Sequence, residues 1–304
     1  MNATLVVLAA GLSSRFGAVE GQKVVETVSP NGEVICDFSV YDAIRAGFNK
    51  IVYVIKKENQ AEFVRKVSSK IKGAEVIIAF QDMEDLPEGF AIPLGRTKPW
   101  GTCHALWAAR HAVNEPFMVI SADDFYGRGI FESMYQFLTT QAKGFSFAMP
   151  GHRLSETISD HGSVNRAVCL VDDAGFVEDI REVRNIEKTG AQIGYTDPKT
   201  GYHPLPDDSI VNMLAFAFTP KVFDEIEKGF GKFYETYVKD NIDAEYFLTL
   251  IVKSLILEMV ATMKVLPVDP KDRWIGVTYK PDVEIAKESI AKLINAGEYP
   301  QKLF

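Results

Sequence analysis

The stretch "TLVVLAAGLSSRFG", residues 4–17, decides the fold. Its first half is a continuous apolar run, which is typical of a strand buried on both faces of a sheet. Its second half is a loop of small residues that contains Arg15. Backbone N–H groups in such a loop can hold phosphate oxygens, and an arginine adds a planar fork of donors. The loop matches neither the P-loop nor the dinucleotide-binding pattern, so alone it predicts a phosphate site and a plain strand-to-helix turn about equally.

Four more apolar runs follow in the first 150 residues, and helical patterns lie between them. The runs are "KIVYVIK", "AEVIIAF", "PFMVISA" and "GFSFAMP", and the helical patterns are "DFSVYDAIRAGF", "QAEFVRKVSSKI", "CHALWAARHAV" and "GIFESMYQFLTTQ". This alternation predicts an α/β fold, with a Rossmann-like open, mainly parallel sheet flanked by helices. Ligands of such sheets bind at the carboxyl ends of the strands, where the opening loop and "SADDFYG" (121–127) lie.

The second half of the chain has a different pattern. Alternating segments flank the turn "DDAG" (172–175), which predicts a hairpin. We expect one strand over 209–220, a loop over 200–208 and one long apolar helix over 243–263. We therefore expect a single domain over residues 1–304, with a first half 1–150 and a second half 151–304 that carries an inserted antiparallel lobe and the C-terminal helices.

The composition narrows the class of protein. With 47% hydrophobic and 24% charged residues, the chain is expected to be a soluble globular protein. Its net charge of -8 argues against a polynucleotide partner. The three cysteines lie far apart without CxxC spacing, so we expect a reducing cytoplasm and neither a zinc site nor a disulfide framework. No segment is apolar without interruption over the roughly 20 residues of a membrane span, since even 243–263 contains four charged residues. The sequence leaves the oligomeric state open and is compatible with a homo-oligomer.

Two adjacent carboxylates, Asp123 and Asp124, follow the predicted strand "PFMVISA". Neighbouring carboxylates repel each other unless a cation or hydrogen bonds relieve them, and oxygen ligands suit Mg²⁺. The pair therefore predicts a metal site that faces phosphates. The alternative is a turn in which one aspartate caps the next helix. The position at the end of a strand favours the metal site.

The segment "TKPWGTCHALWAAR" (97–110) joins a rigid turn to a helix. Gly101 would let the backbone approach a planar base, whereas Thr102 would cap the helix. His104 is either a pocket residue or a packed, hydrogen-bonded histidine, and we favour the second interpretation.

In combination, "LAAGLSSRFG", Lys23, "PWGTCHALWAA" and "SADDFYG" resemble the sugar-phosphate nucleotidylyltransferases, also called nucleotide-sugar pyrophosphorylases. The resemblance implies that NTP and sugar 1-phosphate give NDP-sugar and pyrophosphate, with Mg²⁺ as cofactor. The first half of the chain would then bind the nucleotide and the second half the sugar phosphate. A pyrimidine triphosphate, such as UTP, is the favoured nucleotide.

The resemblance also assigns roles to residues of the first half. One group would contact the nucleoside and its triphosphate, namely Leu8, Ala9, Ala10 and Gly11. Arg15 and Lys23 would stabilise the leaving pyrophosphate. Three residues would hold the base: Gln81 at its edge, and Gly101 with Thr102 beneath it. Asp123 would bind the metal, with Asp124 beside it.

In the second half, the resemblance is carried by "HGSVNRAV", "IREVRNI" and "VNMLAFAFTPKVFD". It implies that Gly162, Glu182, Arg184 and Asn212 contact the sugar. Relatives carry a second metal-binding aspartate within W-x-D-x-G-T, and here Gly276 stands in its place. Asp282 is the candidate substitute ligand.

The opening loop departs from the common sugar-family spelling. It is closer to the version in cytidylyltransferases and molybdopterin nucleotidylyltransferases. Two alternatives therefore stay open: a cytidylyltransferase that acts on a non-sugar phosphate or cofactor precursor, and a nucleotide-binding regulatory subunit that has lost turnover.

Overall fold

The computed structural model describes residues 2–11, 26–159, 161–190, 192–277 and 281–304. Its strands are β1 (Thr4–Leu8), β2 (Lys50–Ile55), β3 (Glu75–Phe80), β4 (Phe117–Ser121), β5 (Asp124–Phe125), β6 (Ser146–Arg153), β7 (Val164–Val171), β8 (Val177–Thr189), β9 (Gln192–Asp197), β10 (Gly201–Leu205), β11 (Ile210–Asn212), β12 (Phe216–Phe218), β13 (Thr262–Pro267) and β14 (Ile275–Gly276). Its α-helices are α1 (Ile35–Ala46), α2 (Gln60–Lys66), α3 (Thr102–Trp107), α4 (Arg128–Thr140), α5 (Lys221–Phe233), α6 (Leu248–Leu257) and α7 (Asp282–Asn295).

Within the described ranges, twelve strands form one sheet. The strands β3, β2, β1 and β4 lie side by side and are parallel, in the order typical of a doubly wound fold. The antiparallel strand β12 separates β4 from β6, which also pairs with β13. Beyond β6, the strands β11, β7, β8, β9 and β10 are all antiparallel. The predicted α/β fold with antiparallel strands in the second half is therefore confirmed.

The strand β1 is buried on both faces, as its apolar run predicts. All five of its residues are buried. Leu5 and Val7 pack in one core cluster with α1 and α4, whereas Val6 and Leu8 pack in a second cluster with α3, α5 and α6. Each such aliphatic side chain contributes about 1.5–3 kcal/mol of burial free energy. The helices thus cover both faces of the parallel strands, which leaves the strand ends for a ligand.

The long apolar helix predicted over residues 243–263 is wrong in its extent. Within this range only α6 is helical. Tyr246, which precedes α6, forms backbone hydrogen bonds with a distant segment: its N–H donates to the Trp100 carbonyl at 2.6 Å, and its carbonyl accepts from the Cys103 N–H at 2.9 Å. The helix ends before Met259, which has a φ of +57°. The following residues form β13, which pairs with β6.

Two other predicted elements differ in the second half. The single strand expected over 209–220 is split into β11 and β12, because Leu214 adopts a φ of +56° between them. The loop expected over 200–208 contains β10, which pairs with β9 across a turn. Backbone pairing between these strands overrides a sequence rich in turn-forming residues. The hairpin turn at 172–175 is confirmed, since the Gly175 N–H donates to the Asp172 carbonyl at 2.9 Å.

Of the helices that the structure describes, none combines the length and the apolar character that a membrane span needs.

Candidate active site

The carboxyl ends of the parallel strands are held together beyond the strands themselves. The Ala9 N–H donates to the Val54 carbonyl at 2.8 Å, and the Ala122 N–H donates to the Leu8 carbonyl at 3.0 Å. Leu8, Ala9 and Ala10 are buried, whereas Gly11 is exposed. Because the side chains of the first three residues pack in the core, only their backbone is available to a ligand. Arg15 and Lys23 lie outside the described residues, so their roles stay predictions.

Asp123 and Asp124 lie just beyond the end of β4. The Ser121 hydroxyl donates to the Asp123 carboxylate, and the Asp123 carbonyl accepts from Val277 at 3.3 Å. Asp124 belongs to β5 and pairs with Gly276 of β14 in a two-stranded ribbon. Both aspartates are half-buried. Two carboxylates at this edge fit Mg²⁺, which often takes one or two protein carboxylates together with substrate phosphates.

Tyr126, which the sequence analysis did not single out, fixes the surroundings of this pair. Its hydroxyl accepts from the Ser121 N–H at 3.0 Å and donates to the Met213 carbonyl at 2.9 Å. It also lies 3.5 Å from Asp124 Oδ2. Burial raises its pKa well above the ordinary value, so the hydroxyl stays protonated. Tyr126 therefore ties the end of β4 to the loop between β11 and β12.

Gly276 lies directly opposite Asp124, at the position where the sequence resemblance implies a second metal-binding aspartate. A Cβ atom on Gly276 would lie 2.9 Å from Asp124 Oδ1 and only 2.1 Å from Cζ2 of Trp274. An aspartate side chain at this position would face Asp124, but the indole ring of Trp274 fills its space. A side chain at this position would therefore require Trp274 to move.

Asp282, the candidate substitute ligand, lies at the start of α7 and not on the β5–β14 ribbon. Among the residues that the structure describes, no three His, Cys, Asp or Glu side chains are grouped so that they could hold a metal ion. Asp282 is buried at the first residue of α7, with its Oδ1 3.9 Å from His161 Nε2. It lines a cleft of about 650 Å³ whose wall includes neither Asp123 nor Asp124. The expected ligand set of Asp123, Asp124 and Asp282 stays a prediction. In the structure Asp282 lines this cleft together with Phe125 and Gly276, which belong to the ribbon that carries Asp124.

Gln81 and Gly101, two of the predicted base-site residues, lie in contact. Gln81 follows β3, and its Nε2 lies 3.2 Å from the Gly101 carbonyl and 3.2 Å from His104 Nδ1. His104 is 2% exposed, and its Nε2 lies 2.7 Å from the Asp85 carbonyl. The interpretation of His104 as a packed, hydrogen-bonded histidine is confirmed.

The turn at Gly101 requires glycine. Its φ is +98°, and a Cβ atom there would lie 2.8 Å from the Tyr246 carbonyl oxygen. The expectation that Thr102 caps its own helix is wrong, because Gly101 is the N-cap of α3 and no side chain bonds at that cap. The Thr102 hydroxyl instead accepts from the Leu248 N–H at 3.0 Å. It thereby satisfies the first N–H of a different helix, α6.

Glu182 lies on the antiparallel strand β8 and contacts the same helix. The Thr249 hydroxyl donates to Glu182 Oε1 at 3.1 Å. The Glu182 side chain is open to solvent, yet the atoms around it remove part of its hydration and raise the pKa of its carboxyl group. Arg184 counteracts this shift by its charge and lies 6.0 Å from the ring centroid of Phe247. The start of α6 therefore contacts both Thr102 and Glu182.

The two remaining sugar-site candidates are placed differently. Gly162 is exposed just before β7, with a φ of +151° that suits glycine. Asn212 is 4% exposed, and its amide holds the β11–β12 loop: Nδ2 donates to the Ala215 carbonyl at 2.7 Å, and Oδ1 accepts from Leu214 at 2.8 Å. A sugar hydroxyl would have to compete with these bonds.

Comparison with known proteins identifies the family. Residues 4–244 match the nucleotidyl transferase family. The chain belongs to this family. It is therefore an enzyme of the nucleotidyltransferase class, as its resemblance to sugar-phosphate nucleotidylyltransferases predicts. No curated protein sequence matches the chain significantly.

Three solved structures share the fold of this nucleotidyltransferase. A Bacillus anthracis protein assigned as a glucose-1-phosphate thymidylyltransferase, in complex with a sucrose, has a TM-score of 0.62 at 17% identity, and the match covers 94% of each chain. A UDP-glucose pyrophosphorylase complexed with UDP-glucose has a TM-score of 0.59 at 16% identity, with 96% of this chain and 99% of that chain covered. The inositol-1-phosphate CTP transferase from T. maritima has a TM-score of 0.56 at 14% identity, with 96% of each chain covered.

Three polar residues that support the site of this nucleotidyltransferase were not predicted from the sequence: Ser121, Tyr126 and Thr249. Ser121 and Tyr126 lie within "SADDFYG", where two hydroxyl groups beside two carboxylates could have indicated their role. Thr249 gave no signal, because its partner Glu182 is 67 residues away in the sequence.

Proposed function

We propose that this nucleotidyltransferase joins a pyrimidine nucleoside triphosphate to a sugar 1-phosphate and releases NDP-sugar and pyrophosphate. One observation carries the proposal: the start of α6 contacts the Gly101–Thr102 turn, expected to lie under the base, and also Glu182, expected to contact the sugar. The two binding regions therefore border one segment of chain. In this proposal residues 1–150 hold the nucleotide and residues 151–304 hold the sugar phosphate.

The proposed reaction needs no general base and no covalent intermediate on the enzyme. An oxygen of the sugar phosphate is already anionic; it attacks the α-phosphorus in line, and the bond from that phosphorus to pyrophosphate breaks. Catalysis then comes from positioning and from stabilising charge on the phosphates. Such a reaction calls for groups such as Asp123, Asp124 and backbone amides, and it does not call for a nucleophilic side chain and its base.

Asp123 and Asp124 are the residues that would hold Mg²⁺. When bound there, the ion would offset negative charge on the transferring phosphate. The Ser121 hydroxyl orients the Asp123 carboxylate, and the ribbon contact with Gly276 fixes the backbone of Asp124. Arg15 and Lys23 complete the proposal as the cations that stabilise the leaving pyrophosphate.

Glu182 and Arg184 form the proposed sugar side of the site. A carboxylate that is open to solvent but partly dehydrated binds sugar hydroxyls more strongly than a fully hydrated one. The hydroxyl of Thr249 occupies one lone pair of Glu182 Oε1 and holds the group in place. Arg184 adds positive charge that suits the phosphate of the acceptor.

A screen of the purified protein with Mg²⁺ tests the proposal. Each of the common nucleoside triphosphates is combined with a set of sugar 1-phosphates, and pyrophosphate release is measured. We expect turnover with at least one sugar 1-phosphate and a pyrimidine triphosphate. Nucleotide binding without pyrophosphate release from any pair would contradict the proposal and favour the regulatory subunit.

A second candidate acceptor is a non-sugar phosphate. Two points favour it: position 276 is a glycine, where the sequence resemblance to the sugar family implies a carboxylate, and one structural neighbour is described as an inositol-1-phosphate CTP transferase. Polyol and alcohol phosphates therefore belong in the same screen. Turnover with these acceptors alone would favour this candidate over the sugar nucleotidylyltransferase.

A further inference from the structure

A chain of hydrogen bonds runs from the surface to the proposed base site. The guanidinium of Arg110 donates to both carboxylate oxygens of Asp85 at 2.7 Å and lies 3.5 Å from the ring centroid of Trp107. This pairing fixes Asp85, whose backbone carbonyl lies 2.7 Å from His104 Nε2. The segment that follows Gln81 is thus clamped against α3.

The Asp85 carbonyl decides where His104 carries its proton. A carbonyl oxygen only accepts hydrogen bonds, so the hydrogen of the imidazole lies on Nε2. Burial, with the charges of Arg110 and Arg96 adding to it, lowers the pKa of His104, while Asp85 opposes the shift. The ring is therefore neutral near pH 7, and its Nδ1 carries a lone pair.

This lone pair decides the orientation of the Gln81 amide. Nε2 of Gln81 lies 3.2 Å from two acceptors, His104 Nδ1 and the Gly101 carbonyl, so both of its hydrogens are used. A flipped amide would set its oxygen against those two acceptors. The carbonyl oxygen of Gln81 therefore points away from His104, and no group in the described part of the chain donates to it. The side chain is half-buried, so this oxygen is left for a ligand.

We propose that His104 is a specificity-determining positioning residue: it orients Gln81 so that the site presents a hydrogen-bond acceptor, which selects uracil or thymine over cytosine. Uracil and thymine carry a hydrogen on N3, whereas cytosine has a lone pair there, which would oppose the Gln81 oxygen. The amino group of cytosine reaches the same oxygen only if the base shifts along its edge, and the anchored triphosphate resists that shift. This inference rests on the proposed function, in which Gln81 faces the base.

Binding of UTP, dTTP and CTP tests the inference without requiring turnover. We expect the full-length protein with Mg²⁺ to bind UTP and dTTP about 10- to 100-fold more tightly than CTP in calorimetric titrations. When cytosine is bound, the Gln81 oxygen has no hydrogen-bond donor opposite it.

Three variants extend this test. The Gln81→Leu variant should bind all three nucleotides alike. The His104→Phe variant should lower the preference for UTP over CTP about tenfold. Where turnover is measured, this loss should appear in KM, with kcat nearly unchanged. His111→Phe, at an exposed histidine, is the matched control and should keep the preference.

Three results would overturn the inference: CTP binding as tightly as UTP in the unmodified protein, an unchanged preference in the Gln81→Leu variant, or an unchanged preference in a folded His104→Phe variant. If His104→Phe does not fold, as judged by its circular dichroism, Gln81→Leu still decides the outcome, because Gln81 lies at the edge of the core. Absence of pyrophosphate release, together with a UTP preference that His104→Phe lowers, would contradict the proposed function and support the role of His104.

Discussion

At the scale of single residues, the most specific prediction concerns Asp123. Its carboxylate is oriented by Ser121 at the end of β4 and is the first candidate ligand for Mg²⁺. We expect Asp123→Asn to lower kcat for pyrophosphate release at least about 100-fold, because the metal loses an anionic ligand. Steady-state kinetics with saturating Mg²⁺ measure this. Asp173→Asn, at an exposed aspartate in the β7–β8 turn, is the control. Near-normal turnover of the Asp123 variant would remove this residue from metal binding.

Arg15 is the second residue with a specific expectation. If its planar guanidinium donates hydrogen bonds to two phosphate oxygens at once, a lysine cannot replace it, because an ammonium group is a point charge. We expect Arg15→Lys to lower kcat for pyrophosphate release nearly as much as Asp123→Asn does, with the melting temperature unchanged. The same kinetic assay measures this. Retained turnover would show that Arg15 does not contact the leaving group.

At the scale of elements, the contact between α3 and α6 is the one that joins the two proposed binding regions. The Thr102 hydroxyl accepts from the Leu248 N–H at the first turn of α6. We expect Thr102→Val to lower the free energy of unfolding by about 1 kcal/mol, because this N–H loses its partner. Urea unfolding measures the change. Because the start of α6 also carries Thr249, we further expect KM for the acceptor phosphate to rise.

Thr140→Val is the matched control for that variant. Among the residues that the structure describes, the Thr140 hydroxyl bonds only within its own helix, to the Gln136 carbonyl, and Thr140 is exposed. We expect its unfolding free energy and KM values to stay close to those of the unmodified protein. Equal effects of the two variants on the unfolding free energy and on KM would show that the hydrogen bond between Thr102 and α6 contributes no more than the exposed one of Thr140.

At the scale of the whole molecule, a buried carboxyl joins the first helix to the end of the chain. The Tyr299 hydroxyl donates to Asp42, and burial raises the pKa of Asp42 to about 7. The folded protein therefore holds a proton that the unfolded chain releases near pH 4. This contribution is fully present below about pH 4 and is lost as the pH rises to about 7. The free energy of unfolding should fall over this window by at most about 4 kcal/mol.

The variant Asp42→Asn tests this pH dependence. An asparagine keeps the shape and an acceptor for Tyr299 but does not titrate, so we expect a flatter dependence of the urea midpoint between pH 5 and pH 8. Part of the slope should remain, because burial also raises the pKa of Asp37 to about 6. An unchanged slope would show that Asp42 is already ionised in the folded protein.

By itself the sequence determined the parallel strands, the hairpin turn at 172–175 and the family, because each of these follows from a local pattern or a short motif. Tertiary structure decided what local patterns do not contain. Tyr246 lies outside α6, although the predicted long helix includes it, because its backbone forms hydrogen bonds with Trp100 and Cys103. These two residues are more than 140 residues away in the sequence. The orientation of Gln81 depends in the same way on His104 and, through it, on the Asp85 carbonyl. An apolar period or a motif reports only on neighbours along the chain, whereas these hydrogen bonds form between groups that only the folded sheet brings together.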